Sequence, residues 1–105
     1  MVDINHGNFD REILYSNKPV IIDFWAEWCT PCKIMEKTYE NLKEKFGDKI
    51  KFTKCNVDGN SIIVNEWNIR SIPTFMIFKD GNMVNSITGM SEDVKNSLNE
   101  VLTNL

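Results

Sequence analysis

Phe24-Trp25-Ala26-Glu27-Trp28-Cys29-Thr30-Pro31-Cys32-Lys33 is the stretch that decides how this chain is read. The apolar run Val20-Ile21-Ile22-Asp23-Phe24-Trp25 leads into it, and an amphipathic run follows. Cys29 and Cys32 therefore stand where a buried strand hands over to a helix. Two cysteines at this spacing approach closely enough on one turn to bridge, as the short Cα separation of a disulfide requires. A helix start also offers unpaired N–H groups and the positive end of the macrodipole. Both favour a thiolate over the thiol, whose free pKa is about 8.5. Pro31 suits the first helical position, because it has no N–H to leave unpaired there. On this reading Cys29, on the outer side of the turn, is the exposed nucleophile. Cys32, one turn in, is the shielded partner that closes the disulfide.

Other uses of the pair fit less well. Zinc needs about four ligands. Beyond the pair the sequence offers only Cys55 and the lone His6, and no second Cys-x-x-Cys. A redox pair near a strand–helix–strand pattern accounts for these facts better than a metal site. A purely structural disulfide is a poor fit too, since so small a loop constrains the unfolded chain very little.

Length and charge narrow the function class. The 105 residues make one domain, 1–105, with a real core, but not two. A net charge of −3 argues against a nucleic-acid partner. No stretch is long and apolar enough to span a bilayer, so no membrane association is expected. Met1-Val2-Asp3-Ile4-Asn5-His6 lacks the basic start and apolar core of a signal peptide. Three cysteines, an odd number, without an export signal fit a reducing compartment. The expected location is the cytoplasm and the expected state a monomer.

Taken in order, the chain reads as follows. Val2 to Ile4 suits a short edge strand. Asn8 is placed to cap a helix through Phe9, Ile13 and Leu14, which Asn17-Lys18-Pro19 breaks. Val20 to Trp25 is apolar on both faces, as a central strand covered by helices would be. A helix from about Pro31 to Phe46 carries Met35, Tyr39, Leu42 and Phe46 on one face. Lys33, Glu36, Lys37, Glu40, Lys43 and Glu44 cover the rest as a solvated face, and Gly47 stops it. Ile50 to Val57 is the next strand, and Asp58-Gly59-Asn60 a turn. Strand, helix, strand at this spacing makes a βαβ unit with parallel strands. Ser61 is placed to cap a short helix through Ile62, Val64 and Trp67. Phe75 to Phe78 and Met83 to Thr88 then pair as a hairpin across Asp80-Gly81-Asn82. Ser91 caps a last helix with Val94, Leu98, Val101, Leu102 and Leu105 on one face. The order βαβ, then ββα, predicts an α/β fold: a mixed central sheet flanked by helices on both faces.

Some residues call for separate weighing. Trp28 lies in the loop before the helix and reads as a partly exposed aromatic lid. Pro73 cannot donate to a ladder, so it belongs at a strand start; an X-Pro bond there is ordinarily trans, though cis costs little. Gly89 allows close backbone approach. Cys55 has no partner and reads as a small buried core residue, and His6 as exposed. Asp23 shares a strand face with Ile21 and Trp25, where a carboxylate is poorly solvated and its pKa rises. Lys54 on the next strand is its candidate partner, either as a buried ion pair or as part of the chemistry.

Trp25-Ala26-Glu27-Trp28-Cys29 through Lys33, with Asp23 upstream and Ile72-Pro73-Thr74 downstream, resembles the thioredoxin family. The likeness runs along almost the whole chain, and its motifs are specific. It implies the thioredoxin fold and a thiol–disulfide oxidoreductase that reduces disulfides in other proteins. Cys29 is then the nucleophile, Cys32 the resolving thiol, and Asp23, with Lys54, the group that assists Cys32's proton transfer. Family members hold a cis-proline facing the cysteine pair and bind substrate along the backbone before it as an extra strand. By resemblance Trp28, Thr30, Pro31, Ser71, Ile72, Pro73, Gly89 and Met90 form the substrate surface. The redox group is the Cys29–Cys32 disulfide, with no bound cofactor and no metal. A separate thioredoxin reductase must restore the dithiol, because no Gly-x-Gly-x-x-Gly motif for a nicotinamide or flavin is present.

The sequence departs from the family pattern in three places. Thr30-Pro31 stands where Gly-Pro is usual, which bears on the reduction potential. Lys37 replaces a proline that bends the helix, and Ser71 replaces a common glycine. Two rival readings remain. A glutaredoxin-like or isomerase-like redox protein would share the Cys-x-x-Cys, though Trp28 and Lys33 favour thioredoxin. A thioredoxin-fold binding module would treat the cysteines as incidental, though the intact pair with Asp23 argues against it.

Overall fold

In a computed structural model describing residues 1–105, the apolar run Val20–Trp25 becomes the middle strand of a five-stranded sheet. The elements are β1 (Val2–Asp3), β2 (Val20–Trp25), α1 (Thr30–Phe46), β3 (Lys51–Asn56), α2 (Ser61–Glu66), β4 (Thr74–Lys79), β5 (Asn82–Thr88) and α3 (Glu92–Thr103). A five-residue π-helical segment, Asp10–Leu14, lies between β1 and β2, and a 3₁₀ turn, Gly47–Lys49, follows α1. The strand order is β1-β3-β2-β4-β5. β3 runs parallel to β1 and β2, while β4 is antiparallel to β2 and β5. This is the mixed sheet that the βαβ-then-ββα order predicts.

Alternation along the strands divides the core in two. Val20, Ile22 and Phe24 of β2 join Met76 and Phe78 of β4 on one face, under Phe9, Ile13 and the α2 residue Ile63. Ile21, Phe75 and Ile77 point the other way, against Met35, Tyr39 and Leu42 of α1 and Leu98 and Leu102 of α3. A strand covered on both faces must be apolar at successive positions, which is why β2 shows no polar alternation. Burying each Phe or Ile contributes about 1.5–3 kcal/mol. Asp23 is the one carboxylate in this layer.

Local differences from the sequence reading have local causes. Asn8 does not cap the Asp10–Leu14 segment, whose cap position is Phe9 and which carries no side-chain cap; Asn5 and Asn8 instead close the turn before it. The Asn5 Oδ1 accepts from the N–H groups of Gly7 and Asn8, and the Asn8 Oδ1 accepts from the Asn5 N–H at 2.8 Å. The two asparagines cap each other reciprocally, in the manner of a capping box. α1 starts one residue earlier than expected, so Thr30 holds the first position and Pro31 the second. Asn60, not Ser61, stands at the cap of α2, and its side chain donates to the Asn56 carbonyl at 2.7 Å. The β4–β5 hairpin turns on Asp80 and Gly81 alone, with φ of 53° and 79°. Two left-handed residues match the twist of the flanking strands. Ser91 caps α3 as expected, accepting from the Val94 N–H at 3.1 Å.

Candidate active site

β2 delivers the chain to Trp25, and α1 begins at Thr30 with Cys29 as its cap residue. Cys29 turns on its own backbone, its N–H donating to the Ala26 carbonyl at 3.1 Å. Its Sγ then accepts from the Cys32 N–H at 3.2 Å. One of the orphan donors of the helix start is thus satisfied by sulfur. Cys29 and Cys32 are joined in a disulfide, with Cα atoms 5.3 Å apart.

The expected exposure of Cys29 is corrected by the structure. Cys29 is only 4% exposed and Cys32 2%. The reason lies far away in sequence: Ile72 closes over the pair, its carbonyl oxygen 3.8 Å from the Cys29 Sγ. Ala26, Val57 and Trp25 complete the packing around the sulfurs. The peptide bond after Ile72 is cis, and Pro73 is buried.

The remaining surface residues gather around this point. Trp28 is 68% exposed and is held by its indole N–H, which donates to the Asp58 carboxylate at 2.9 Å. A groove of about 340 Å³ runs beside it, lined by Trp28, Val57, Val64, Ile69, Arg70, Ser71 and Ile72. Thr30 and Pro31 are exposed on the first turn of α1. Gly89 donates its N–H to the Pro73 carbonyl at 2.9 Å, which ties Gly89 and the exposed Met90 to the same edge. Gly89 has φ of 109°, which side chains other than glycine's rarely adopt.

Beneath the pair lies a small cavity of about 80 Å³. Asp23, Trp25, Cys32, Glu36, Tyr39 and Lys54 are among its walls. Asp23 is 6% exposed, and neither its Oδ1 nor the Trp25 indole N–H has a hydrogen-bond partner. Burial pushes the Asp23 carboxyl up to about 7; repulsion from Glu36 adds to the rise and Lys54 opposes it. Tyr39 is fixed elsewhere, its hydroxyl bonded to the Thr53 carbonyl at 2.6 Å.

Lys54 does not form the buried ion pair considered for it. It is in register with Asp23, but its Nζ lies 4.0 Å from the Asp3 Oδ1 and 5.2 Å from the centre of the Trp25 ring. The ammonium thereby stays at the rim, partly hydrated. The sequence assigns Glu36 to a solvated helix face and Asp58 to a turn, yet Glu36 lines the cavity and Asp58 holds Trp28. For Glu36 a signal existed: it lies four residues after Cys32, directly above it on a helix. Cys55, by contrast, is fully buried among apolar residues, and burial pushes its thiol up to about 11. No group of three or more His, Cys, Asp or Glu side chains is arranged to hold a metal ion, and no helix is long and apolar enough to cross a membrane.

The family model described as Thioredoxin matches residues 1–104. The chain belongs to the thioredoxin family. Its relatives include a thioredoxin of Rickettsia bellii, 39% identical over 102 residues, covering 97% of this chain and 95% of that protein. Thioredoxin 1 of Synechococcus elongatus is 40% identical over 86 residues, covering 82% of this chain and 80% of that protein. Among solved structures, the thioredoxin of Malassezia sympodialis superposes with a TM-score of 0.86 at 35% identity, over 97% of this chain and 89% of that one. A structure from work on thiol resolution in yeast mitochondrial 1-Cys peroxiredoxin by the glutathione and thioredoxin systems gives a TM-score of 0.89 at 29% identity. It covers all of this chain and 95% of that one. This thioredoxin-family chain is a thiol–disulfide oxidoreductase acting on protein disulfides, and Cys29–Cys32 is its redox-active disulfide.

Proposed function

We propose that Cys29 attacks target proteins and Cys32 resolves the intermediate. In the reduced chain the Cys29 thiolate attacks one sulfur of a target disulfide. A Cys29–target bond forms, the target S–S bond breaks, and the electron pair leaves on the other target sulfur. Cys32 then gives its proton to Asp23 and attacks the Cys29 Sγ. The target departs reduced by two electrons, and the chain is left as the disulfide described above. The observation that carries this order is the placement of the Cys29 Sγ at the cap of α1, where the Cys32 N–H meets it. A thiolate there faces the positive end of a 17-residue helix.

Substrate would lie in the groove beside Trp28, running its backbone along Ser71, Ile72 and Pro73 as an added strand. Thr30, Pro31, Gly89 and Met90 would frame it. Lys54 modulates Asp23 from the rim. The chain acts as a single domain and as a monomer in the cytoplasm. It binds no cofactor, so a separate thioredoxin reductase returns the electrons. Insulin reduction with thioredoxin reductase and NADPH as the electron source, against glutathione as the alternative, tests this reading. Turnover with the reductase supports it. Turnover with glutathione alone would favour the glutaredoxin-like alternative.

A further inference from the structure

We propose that Glu36 is a positioning residue for the resolving step, the outer of two carboxylates that pass the Cys32 proton from Asp23 to solvent. The proposal rests on the reading of Asp23 as the acceptor of that proton. Its starting point is a problem of access. Asp23 is 6% exposed, its buried Oδ1 has no partner, and the residue lines a cavity of about 80 Å³. A proton taken up there has to leave before the next cycle.

Apart from Met1 at the start of the chain, which also lines the cavity, the walls offer few exits. From β2 comes Trp25, whose indole can only donate a hydrogen bond. Opposite Asp23 in register, β4 presents the apolar Phe75. From β3 comes Lys54, drawn away to Asp3 and the Trp25 ring. From α1 come Tyr39, whose hydroxyl is bonded to the Thr53 carbonyl, and the exposed Glu36 and Glu40. Glu36 stands four residues after Cys32 on α1, and its charge bears on Asp23. Glu40 stands one turn further on, and its charge bears on Tyr39 instead. Glu36 thus links the buried carboxylate to bulk water. A polar cavity of this size is large enough to hold water, whose centre needs only about 10–15 Å³ of open space. The protons balance simply. Cys32 loses its proton to Asp23 as its sulfur bonds to Cys29 and the Cys29–target bond breaks. Asp23 then passes the proton through cavity water to Glu36, which releases it to solvent.

Stopped-flow reduction of dithiobis-nitrobenzoate separates the steps, releasing one thionitrobenzoate on attack and a second on resolution. At pH 6 in dilute buffer, where Asp23 rests protonated and must discharge along this path before it can accept the Cys32 proton, Glu36→Gln should leave the first phase unchanged and slow the second by on the order of 10-fold. Added imidazole should restore it, and Glu36→Asp should retain most of the rate. The Asp23 midpoint, followed by NMR in the oxidised protein where neither active-site cysteine titrates, should fall in Glu36→Gln. An unchanged second phase in Glu36→Gln, with Asp23→Asn slowed, would overturn the role of Glu36 alone. Slowing that imidazole does not restore would mean that Glu36 acts by charge only, which also overturns the path. An unchanged second phase in Asp23→Asn would overturn the underlying reading of Asp23, and the path with it.

Discussion

Asp23 and Lys54 stand side by side in register on adjacent parallel strands, yet they form no ion pair. The lysine reaches out to Asp3 on the edge strand and leaves the carboxyl buried without its charge partner. Removing both charges from water costs more than their attraction returns unless the geometry is very good. The flexible lysine has a wetter alternative, so the carboxylate is left largely uncompensated.

Stability should therefore respond to pH through Asp23. Its folded pKa is raised to about 7, against about 3.9 in an unfolded chain. The folded form holds a proton that the unfolded form has released. The favourable contribution is complete below about pH 3.9 and is lost as pH climbs through about 7. Asp23→Asn should stabilise the oxidised protein at pH 8 by on the order of 1–3 kcal/mol, and the two proteins should converge below about pH 4. Urea melts across this range measure the difference. Equal stability at pH 8 would contradict it.

In the reduced protein, Cys29 should alkylate much faster than Cys55 at neutral pH. Cys29 sits at a helix start next to Trp28 and under Ile72, both of which line the surface groove, whereas Cys55 is sealed in the core with its thiol pushed up to about 11. Reactivity follows thiolate fraction and access. Peptide mapping after brief iodoacetamide treatment checks this, and equal labelling of the two would contradict it.

Thr30→Gly should shift the reduction potential while sparing the fold. Thr30 is exposed at the first position of α1, between the two cysteines. The fold should lose at most about 1 kcal/mol, the usual helix penalty of glycine. A glutathione titration reads the potential. An unchanged value would make the Thr30-Pro31 departure irrelevant to redox poise.

The sequence carried the layers of this fold plainly, because a strand buried on both faces has to be written as an unbroken apolar run, as in Val20–Trp25. Counting along two such strands also placed Lys54 beside Asp23. What counting could not give was where a long side chain ends. The lysine's choice of Asp3 depends on the edge strand β1, a two-residue element. The burial of Cys29 was hidden for a similar reason: it comes from Ile72, 43 residues later in the chain. Asn5 and Asn8 are equally good capping residues, and only the reciprocal bonds between them show which one starts the turn.

The division of labour between the two cysteines is tested most directly by trapping. Cys32→Ser lacks the resolving thiol, so it should accumulate mixed disulfides with target proteins, separable on non-reducing gels and released by dithiothreitol. Cys29→Ser should accumulate none, because the remaining thiol lies deeper in α1 and lacks the helix-cap position. Both variants holding the same targets through disulfides would contradict the assignment of Cys29 as the attacking thiol and Cys32 as the resolving one.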